Sequence, residues 1–374
     1  MSTFLDWLAD RAADRDRKGL RREVRAFKSG ELVDLAGNDY LGLRRHPVVI
    51  AGAVAAAETY GGGAGASRLV TGTLEIHEEL ERALCRLTGA PSALVLSTGY
   101  HANLAVLTSL ADPDTLVVSD AHAHASLIDG ARLSRGTVAV SRHNDLDHVR
   151  ELLAARTQPR AIVVVESVYS VLGDAAPLRE LSDLAEEFDA VLLVDDAHGL
   201  GVVGERGEGG PAQSGITASA HVVVTVTLSK SLAAQGGAVL ANEAVREHLV
   251  NTARPFIYDT GLAPAAAGAA LGALDLLAMD VHLPAAARAN SALLAEACGV
   301  VPPAGAVLSV VMPGPEEALA AVAVAEQQGL RIGCFRPPST PDGSSRLRLT
   351  AHADHGPDVL DHAVQVLRGL VAHG

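Results

Sequence analysis

Lysine is scarce in this chain of 374 residues: of 30 Lys and Arg, only Lys18, Lys28 and Lys230 are lysine. Lys230 stands alone after residue 28. An arginine cannot replace a lysine that must lose a proton near neutrality and act as an amine nucleophile. The neighbours of Lys230 point to that chemistry. Thr-Leu-Ser-Lys (227–230) follows the apolar run HVVVTVT (221–227), and Asp195, in VDDAHG, closes another apolar run with His198 three residues on. Ser-Thr-Gly-Tyr (97–100) follows ALVLS and opens a helical pattern, so free backbone N–H groups are offered to a phosphate. In an open parallel sheet, ligands bind at the carboxyl ends of the strands. A helix N-terminus, a carboxylate, a histidine, hydroxyls and one lysine at such an edge suit pyridoxal 5′-phosphate (PLP). Lysine forms the Schiff base, and a carboxylate keeps the pyridine nitrogen protonated so that the ring accepts electrons from a carbanion. Taken singly, each residue has a plainer reading. Asp195 is a helix cap, Lys230 a solvated loop lysine, His124 the cap of a helix over 125–133, and Arg348 an exposed edge residue.

The elements that must position these groups are legible as apolar runs. ALVLS (93–97), TLVVSD (115–120), TVAVS (137–141), AIVVVE (161–166), AVLLVDD (190–196), HVVVTVT (221–227) and GAVLA (237–241) read as strands buried on both faces. Helical stretches at 100–111, 144–156 and 177–189 lie between most of them, which implies an α/β fold with a mostly parallel sheet. A charged amphipathic helix is expected over 3–28. After residue 280 the pattern becomes a smaller α+β region: helix 283–298, strand 307–312, helix 315–328, strands 330–334 and 346–350, and a terminal helix from about 356. The expected organisation is an N-terminal helix and arm (1–44), a large cofactor-binding domain (45–280) and a small C-terminal domain (281–374).

Composition narrows the class. Hydrophobic residues make up 48%, charged residues 20% and aromatics 3%, so Ala, Val and Leu must build the core. A formal charge of −14 argues against a nucleic-acid partner. Cys85, Cys298 and Cys334 form no disulfide framework, which suits a reducing cytoplasm. The N-terminus lacks the apolar stretch of a signal peptide, and Leu262–Met279 reads as a buried helix rather than a membrane span. GGGAGAS (61–67) follows a helix-like run, so the Rossmann context fails. His122 with His124, and His352 with His355, show no spacing that identifies a metal site, and no metal is expected. No G-x-S-x-G elbow or Walker lysine motif occurs.

The ordered motifs resemble the α-oxoamine synthases, a family of fold-type-I, aspartate aminotransferase-like PLP enzymes. NDYLG (38–42), ASRLVTG (66–72), STGYHAN (97–103), DAHAHAS (120–126), ESVYSVLGD (166–174), VDDAHGLG (194–201), TLSKSLAAQGG (227–237), FIYDTGLAP (256–264), RPPSTP (336–341) and RLRLT (346–350) stand in the family's order nearly end to end. The resemblance implies a seven-stranded, mostly parallel sheet with a smaller α+β domain. It implies that Lys230 carries the cofactor, that Asp195 pairs with the pyridine nitrogen, and that His198, helped by Ser170, bonds the phenolic oxygen. His124 would stack over the ring. Gly99, Tyr100 and Thr227 would hold the phosphate, with Thr260 reaching the partner subunit's phosphate in a homodimer that shares its active site across the interface. Arg348 would bind the amino-acid carboxylate, and Arg21 and Ser339 the acyl substrate.

The motif wording is nearest to the biotin-pathway branch. That implies decarboxylative condensation of L-alanine with a pimeloyl thioester, carried by CoA or an acyl carrier protein. Ligation of glycine and acetyl-CoA to 2-amino-3-ketobutyrate is the alternative, since one methyl in a pocket is worth only ~1–3 kcal/mol. Four positions depart from the family's usual pattern. Ala233 stands where glycine is usual, and would be strained at positive φ. Val171-Leu172 replaces a common Met-Asp, His122 replaces a non-histidine, and Gly37 stands where Ser or Ala often precedes the Asn.

Overall fold

The computed structural model describes residues 3–372, apart from 19, 23, 25, 27–29, 338 and 341. Contacts divide the chain into two units, Met1–Val33 and Asp34–Gly374. The first holds helix Phe4–Arg17, opened by a capping box in which Thr3 and Asp6 exchange hydrogen bonds. The expected helix over 3–28 therefore stops early. None of its residues is buried, so no packing extends it past what its cap and charge pairs sustain. Arg25 and Lys28 lie outside the described residues.

The strands are β1 (Val33–Leu35), β2 (Ser92–Leu96), β3 (Thr115–Asp120), β4 (Thr137–Ser141), β5 (Arg160–Glu166), β6 (Val191–Asp195), β7 (Val222–Thr227), β8 (Gly237–Ala241), β9 (Val307–Met312), β10 (Leu330–Phe335) and β11 (Ser345–Thr350). Seven of them form the large sheet in the order β2-β8-β7-β6-β5-β3-β4. β8 runs antiparallel to both neighbours, and the other pairs are parallel. Helices Gly99–Leu110, Ala125–Ser134, Leu146–Ala154 and Leu178–Glu187 lie between successive strands.

Alternation explains why the strands are apolar throughout. Val163, Val165, Leu192, Val194, Val222 and Val224 enter one core, while Ile162, Val164, Leu193 and Val223 enter a second. Side chains on a strand point alternately to opposite faces, so two cores sandwich the sheet. β4 departs from the expected double burial. It is an edge strand, and Val138 and Val140 are exposed.

Small residues take the place of aromatics in the helix packing. Helices Pro47–Tyr60 and Pro264–Met279 cross where Gly52 meets Gly268, and a Cβ on either would come within 2.4 Å of the other's carbonyl oxygen. Pro264–Met279 is the buried helix expected of the long apolar stretch. Among the described residues no single helix is long and apolar enough to cross a membrane. The smaller sheet has the order β1-β10-β11-β9, with β11 antiparallel to both β10 and β9.

Candidate active site

Register places the polar ends of the central strands side by side. Glu166 on β5 pairs with Asp195 on β6, and Asp195 pairs with Thr225 on β7. β7 then leads into the loop that carries Lys230. This loop folds back on itself: Ala233 N–H donates to Lys230 O at 3.0 Å, and Ala234 N–H donates to Leu228 O at 2.9 Å. Lys230 Nζ lies 2.7 Å from His198 Nε2, and His198 Nδ1 lies 2.6 Å from the Tyr40 hydroxyl. Tyr40 donates to Asn38 Oδ1 at 3.0 Å, and Arg348 Nη2 donates to the same oxygen at 3.1 Å. One donor order satisfies the whole chain: amine to Nε2, Nδ1–H to the tyrosine oxygen, tyrosine O–H to the amide oxygen. His198 is then neutral.

The electrostatics agree. Burial drives His198 well below its ordinary value, and the Lys230 and Arg348 cations push the same way. Burial lowers the Lys230 amine, against the opposing pull of Asp195 and Glu166. Burial raises Glu166, reinforced by Asp195. Burial also holds the Tyr40 hydroxyl up at about 12.

Asp195 is 6% exposed and held from two sides. Asn103 Nδ2 donates to one carboxylate oxygen at 2.7 Å, and Ala197 N–H to the other at 3.0 Å. Asn103 is itself fixed, since its oxygen accepts from Thr225 Oγ1 at 2.6 Å and its nitrogen also donates to Ser126 at 2.8 Å. Ser126 lies 2.7 Å from His124 Nδ1. His124 is the N-cap of helix Ala125–Ser134, so the capping role and a place at the site coincide. Burial lowers His124.

Gly99 and Tyr100 form the first turn of helix Gly99–Leu110, where backbone N–H groups have no intrahelical acceptor. A Cβ on Gly99 would come 3.0 Å from Thr227, so glycine keeps a cradle open between the helix start and the Thr227 hydroxyl. The Tyr100 side chain points elsewhere, donating to Asp129 at 2.6 Å and standing 42% exposed. Arg348 is buried on β11, an inner strand of the four-stranded smaller sheet, not at an exposed edge, and donates to Ser170 O at 2.7 Å. Thr260 is exposed and bridges Ser67. Ser339 is exposed beside Arg336. Arg21 lies in the first unit, 3.9 Å from Asp16.

Hydrogen bonds thus join Lys230, His198, Arg348 and Ser170 in one chain and Asp195 and His124 in another, the two interacting through charge, while Thr227 faces Gly99 where β7 ends. Sequence reasoning missed Tyr40, Asn38, Asn103, Thr225 and Glu166. The available signal was polarity inside apolar elements: Asn103 within HANLAVL, Thr225 within HVVVTVT, Glu166 closing AIVVVE.

The donor set fits PLP on three counts. A half-buried amine has its pKa lowered, a buried carboxylate is pre-oriented by an amide and a backbone N–H, and a glycine-lined helix start faces a hydroxyl. The family described as aminotransferase class I and II matches residues 30–367. An 8-amino-7-oxononanoate synthase of Mycolicibacterium smegmatis is 53% identical over 371 residues, covering 98% of this chain and 97% of the relative. The same-named protein of Mycolicibacterium gilvum is 50% identical over 370 residues, with coverage of 98% and 97%. Among solved structures, a lysine-to-alanine variant of serine palmitoyltransferase from S. paucimobilis with a bound PLP–myriocin aldimine superposes with a TM-score of 0.89 at 29% identity, covering 98% of this chain and 97% of that one. The chain belongs to the class I and II aminotransferase family of fold-type-I, PLP-dependent enzymes, and within it to the 8-amino-7-oxononanoate synthases of biotin synthesis.

Proposed function

We propose that this chain condenses L-alanine with a pimeloyl thioester, releasing 8-amino-7-oxononanoate, CO₂ and the free thiol, and that it does so as a homodimer with the site at the subunit interface. The observation that carries the reading is the Lys230 amine, half-buried and 2.7 Å from a neutral His198, one strand from the doubly held Asp195. The naming of relatives at 50–53% identity supports the substrate pair.

PLP, when bound, supplies an electron sink for the carbanion at the amino-acid Cα. Lys230 would hold the cofactor and then, with its pKa lowered by burial, take the proton from that Cα. Asp195 would face the pyridine nitrogen, kept in place by Asn103. His198, kept neutral by burial, would turn its Nε2–H to the phenolic oxygen beside Ser170 once the Lys230 amine is engaged by the cofactor, with Tyr40 then donating to Nδ1. His124 would cover the ring. The Gly99 and Tyr100 backbone and the Thr227 hydroxyl would take the phosphate, joined by Thr260 from the partner subunit. Arg348 would bind the alanine carboxylate, its guanidinium fixed by Ser170 O and Asn38 and lying 5.3 Å from the Phe335 ring centroid. Arg21 and Ser339 would meet the acyl chain.

The test offers purified protein alanine, glycine or serine against pimeloyl-CoA, a pimeloyl carrier protein and acetyl-CoA. The reading expects 8-amino-7-oxononanoate by mass, and CO₂ from carboxyl-labelled alanine, with a pimeloyl thioester. Turnover of glycine with acetyl-CoA and none of alanine with either pimeloyl thioester would overturn it.

A further inference from the structure

We propose that His352, Asp354 and His355 form a binding site for a divalent first-row transition ion, Zn²⁺ foremost, apart from the Lys230 site. Each residue offers one ligand atom, and the three atoms lie within 4.8 Å of one another. They sit on the loop between β11 and helix Pro357–Ala372.

The loop is tied down on two sides. Ala353 N–H donates to Tyr40 O at 2.8 Å. Asn290 Nδ2 donates to His352 O at 2.8 Å and to His355 O at 3.4 Å. The two imidazoles stack with centroids 4.6 Å apart and planes at 15°, so the backbone presents both rings in nearly one orientation.

The second observation concerns His352 itself. It is 4% exposed, and its Nε2 is enclosed with no hydrogen-bond partner. Leaving a buried polar group unpaired costs ~1–3 kcal/mol, so a conformation that keeps it needs a return. A metal ion supplies one. Two imidazole nitrogens and one carboxylate suit zinc, cobalt or nickel rather than magnesium or calcium, whose ligands are oxygens. Water completes a tetrahedral shell, as at open three-ligand zinc sites.

With bonds of ~2.0–2.2 Å, ligand atoms in such a shell stand about 3.3–3.6 Å apart. The exposed Asp354 carboxylate and a tilt of the half-buried His355 ring toward His352 would close that gap. The surroundings favour a cation. Asp34 and Asp39 both lie close enough to His352 to interact electrostatically, and Asp34 to His355 as well. Arg44 offsets part of this, at 3.6 Å from each carboxylate.

The test uses the full-length, PLP-loaded protein, stripped with a chelator and dialysed against Zn²⁺. Elemental analysis is expected to find one ion per chain. His352→Gln, His355→Gln and Asp354→Asn are each expected to weaken uptake by at least ~10-fold. Asp354 is exposed, so its variant keeps the test alive should His352→Gln fail to fold. Co²⁺ in place of Zn²⁺ is expected to give visible d–d bands without the thiolate charge transfer that Cys85, Cys298 or Cys334 would contribute. Absence of uptake by the unaltered chain, uptake undiminished in His355→Gln and Asp354→Asn, or a thiolate spectrum would each overturn the proposal.

Discussion

His198 and His143 lie along the same edge of the large sheet, each shortly after the end of a strand, yet their surroundings push them in opposite directions. His198 meets a lysine, a tyrosine hydroxyl and the field of Arg348, and it is driven well below its ordinary value. His143 bridges two carboxylates, Asp120 at 2.8 Å and Asp174 at 2.8 Å. Burial alone would lower His143, but the hydrogen bonds and charges of both aspartates outweigh it and raise the ring to about 9. His122 stacks on it at 3.7 Å, and Tyr169 meets it edge-on at 4.5 Å. Burial depresses His122, and the His143 charge presses on it further. Position on the sheet is therefore not what decides a histidine's state; the sign of its partners is. One histidine is a neutral hydrogen-bonding relay next to the amine, and the other is a cationic clamp between β3 and the loop after β5.

The largest effect expected separates the relay from everything else. Lys230→Ala removes the amine on which the relay converges, and turnover is expected to fall by at least ~10⁴-fold, the upper end for acid–base catalysis. Steady-state assay at saturating alanine and pimeloyl thioester measures it. Turnover within tenfold of the unaltered enzyme would sink the reading of the site.

His143→Ala addresses the clamp. It leaves Asp120, 5% exposed, with only its backbone N–H donors, and stability is expected to drop by about 2–3 kcal/mol in urea or thermal unfolding. The sign with pH follows from linkage. The folded value, about 9, lies above the ordinary 6.5, so the folded state holds the extra proton in that window. The contribution is complete below pH 6.5 and is lost as pH rises through about 9. The unaltered chain should lose stability across that interval, and the variant should show a flatter profile. Equal slopes would mean that the clamp carries no charge.

Tyr40→Phe tests the relay without touching the amine. The hydroxyl donates to Asn38 and fixes the His198 tautomer, so its loss is expected to lower kcat/KM by up to ~10-fold. The pH–rate profile is expected to shift as His198 loses a partner, a change that a purely structural tyrosine would not produce.

The two histidines also differ in how readable they were. His198 follows Asp195 in a motif that ends an apolar strand, and the lone Lys230 drew attention to the next strand end. Strand ends, runs of valine and a single amine are local signals, and the seven strands of the large sheet came through within a residue or two. The clamp had no such signal. Asp120 ends β3, His143 follows β4 and Asp174 lies in the loop after β5, and only the parallel register of β3, β4 and β5 brings them together. Asn103 and Tyr40 were invisible as partners for the same reason. A hydrogen bond between residues 92 or 158 positions apart leaves no period in a sequence. The plainer reading of Arg348 as an exposed edge residue fails because alternation shows which face a side chain takes, not what covers that face.

The smallest expected effect concerns the loop that presents the amine. Alanine at position 233 departs from the glycine usual there, and the structure places Ala233 at φ +52°, in the left-handed region. An L-residue in that region is strained by roughly 1–2 kcal/mol. The strain is held by the turn itself, since Ala233 N–H donates to Lys230 O and the next N–H closes on Leu228 O. Ala233→Gly releases the strain but gives the unfolded chain more freedom, at a cost of about 0.5–1 kcal/mol. The net expectation is a gain of roughly 0.5–1 kcal/mol in unfolding free energy. Because the strained residue lies three positions after Lys230, the same substitution also asks whether strain sharpens the amine's placement. If stability rises while kcat is unchanged, the strain is a tolerated sequence drift. If stability rises while kcat falls, the turn holds Lys230 against His198 by being strained, and the relay depends on the loop as much as on its hydrogen bonds.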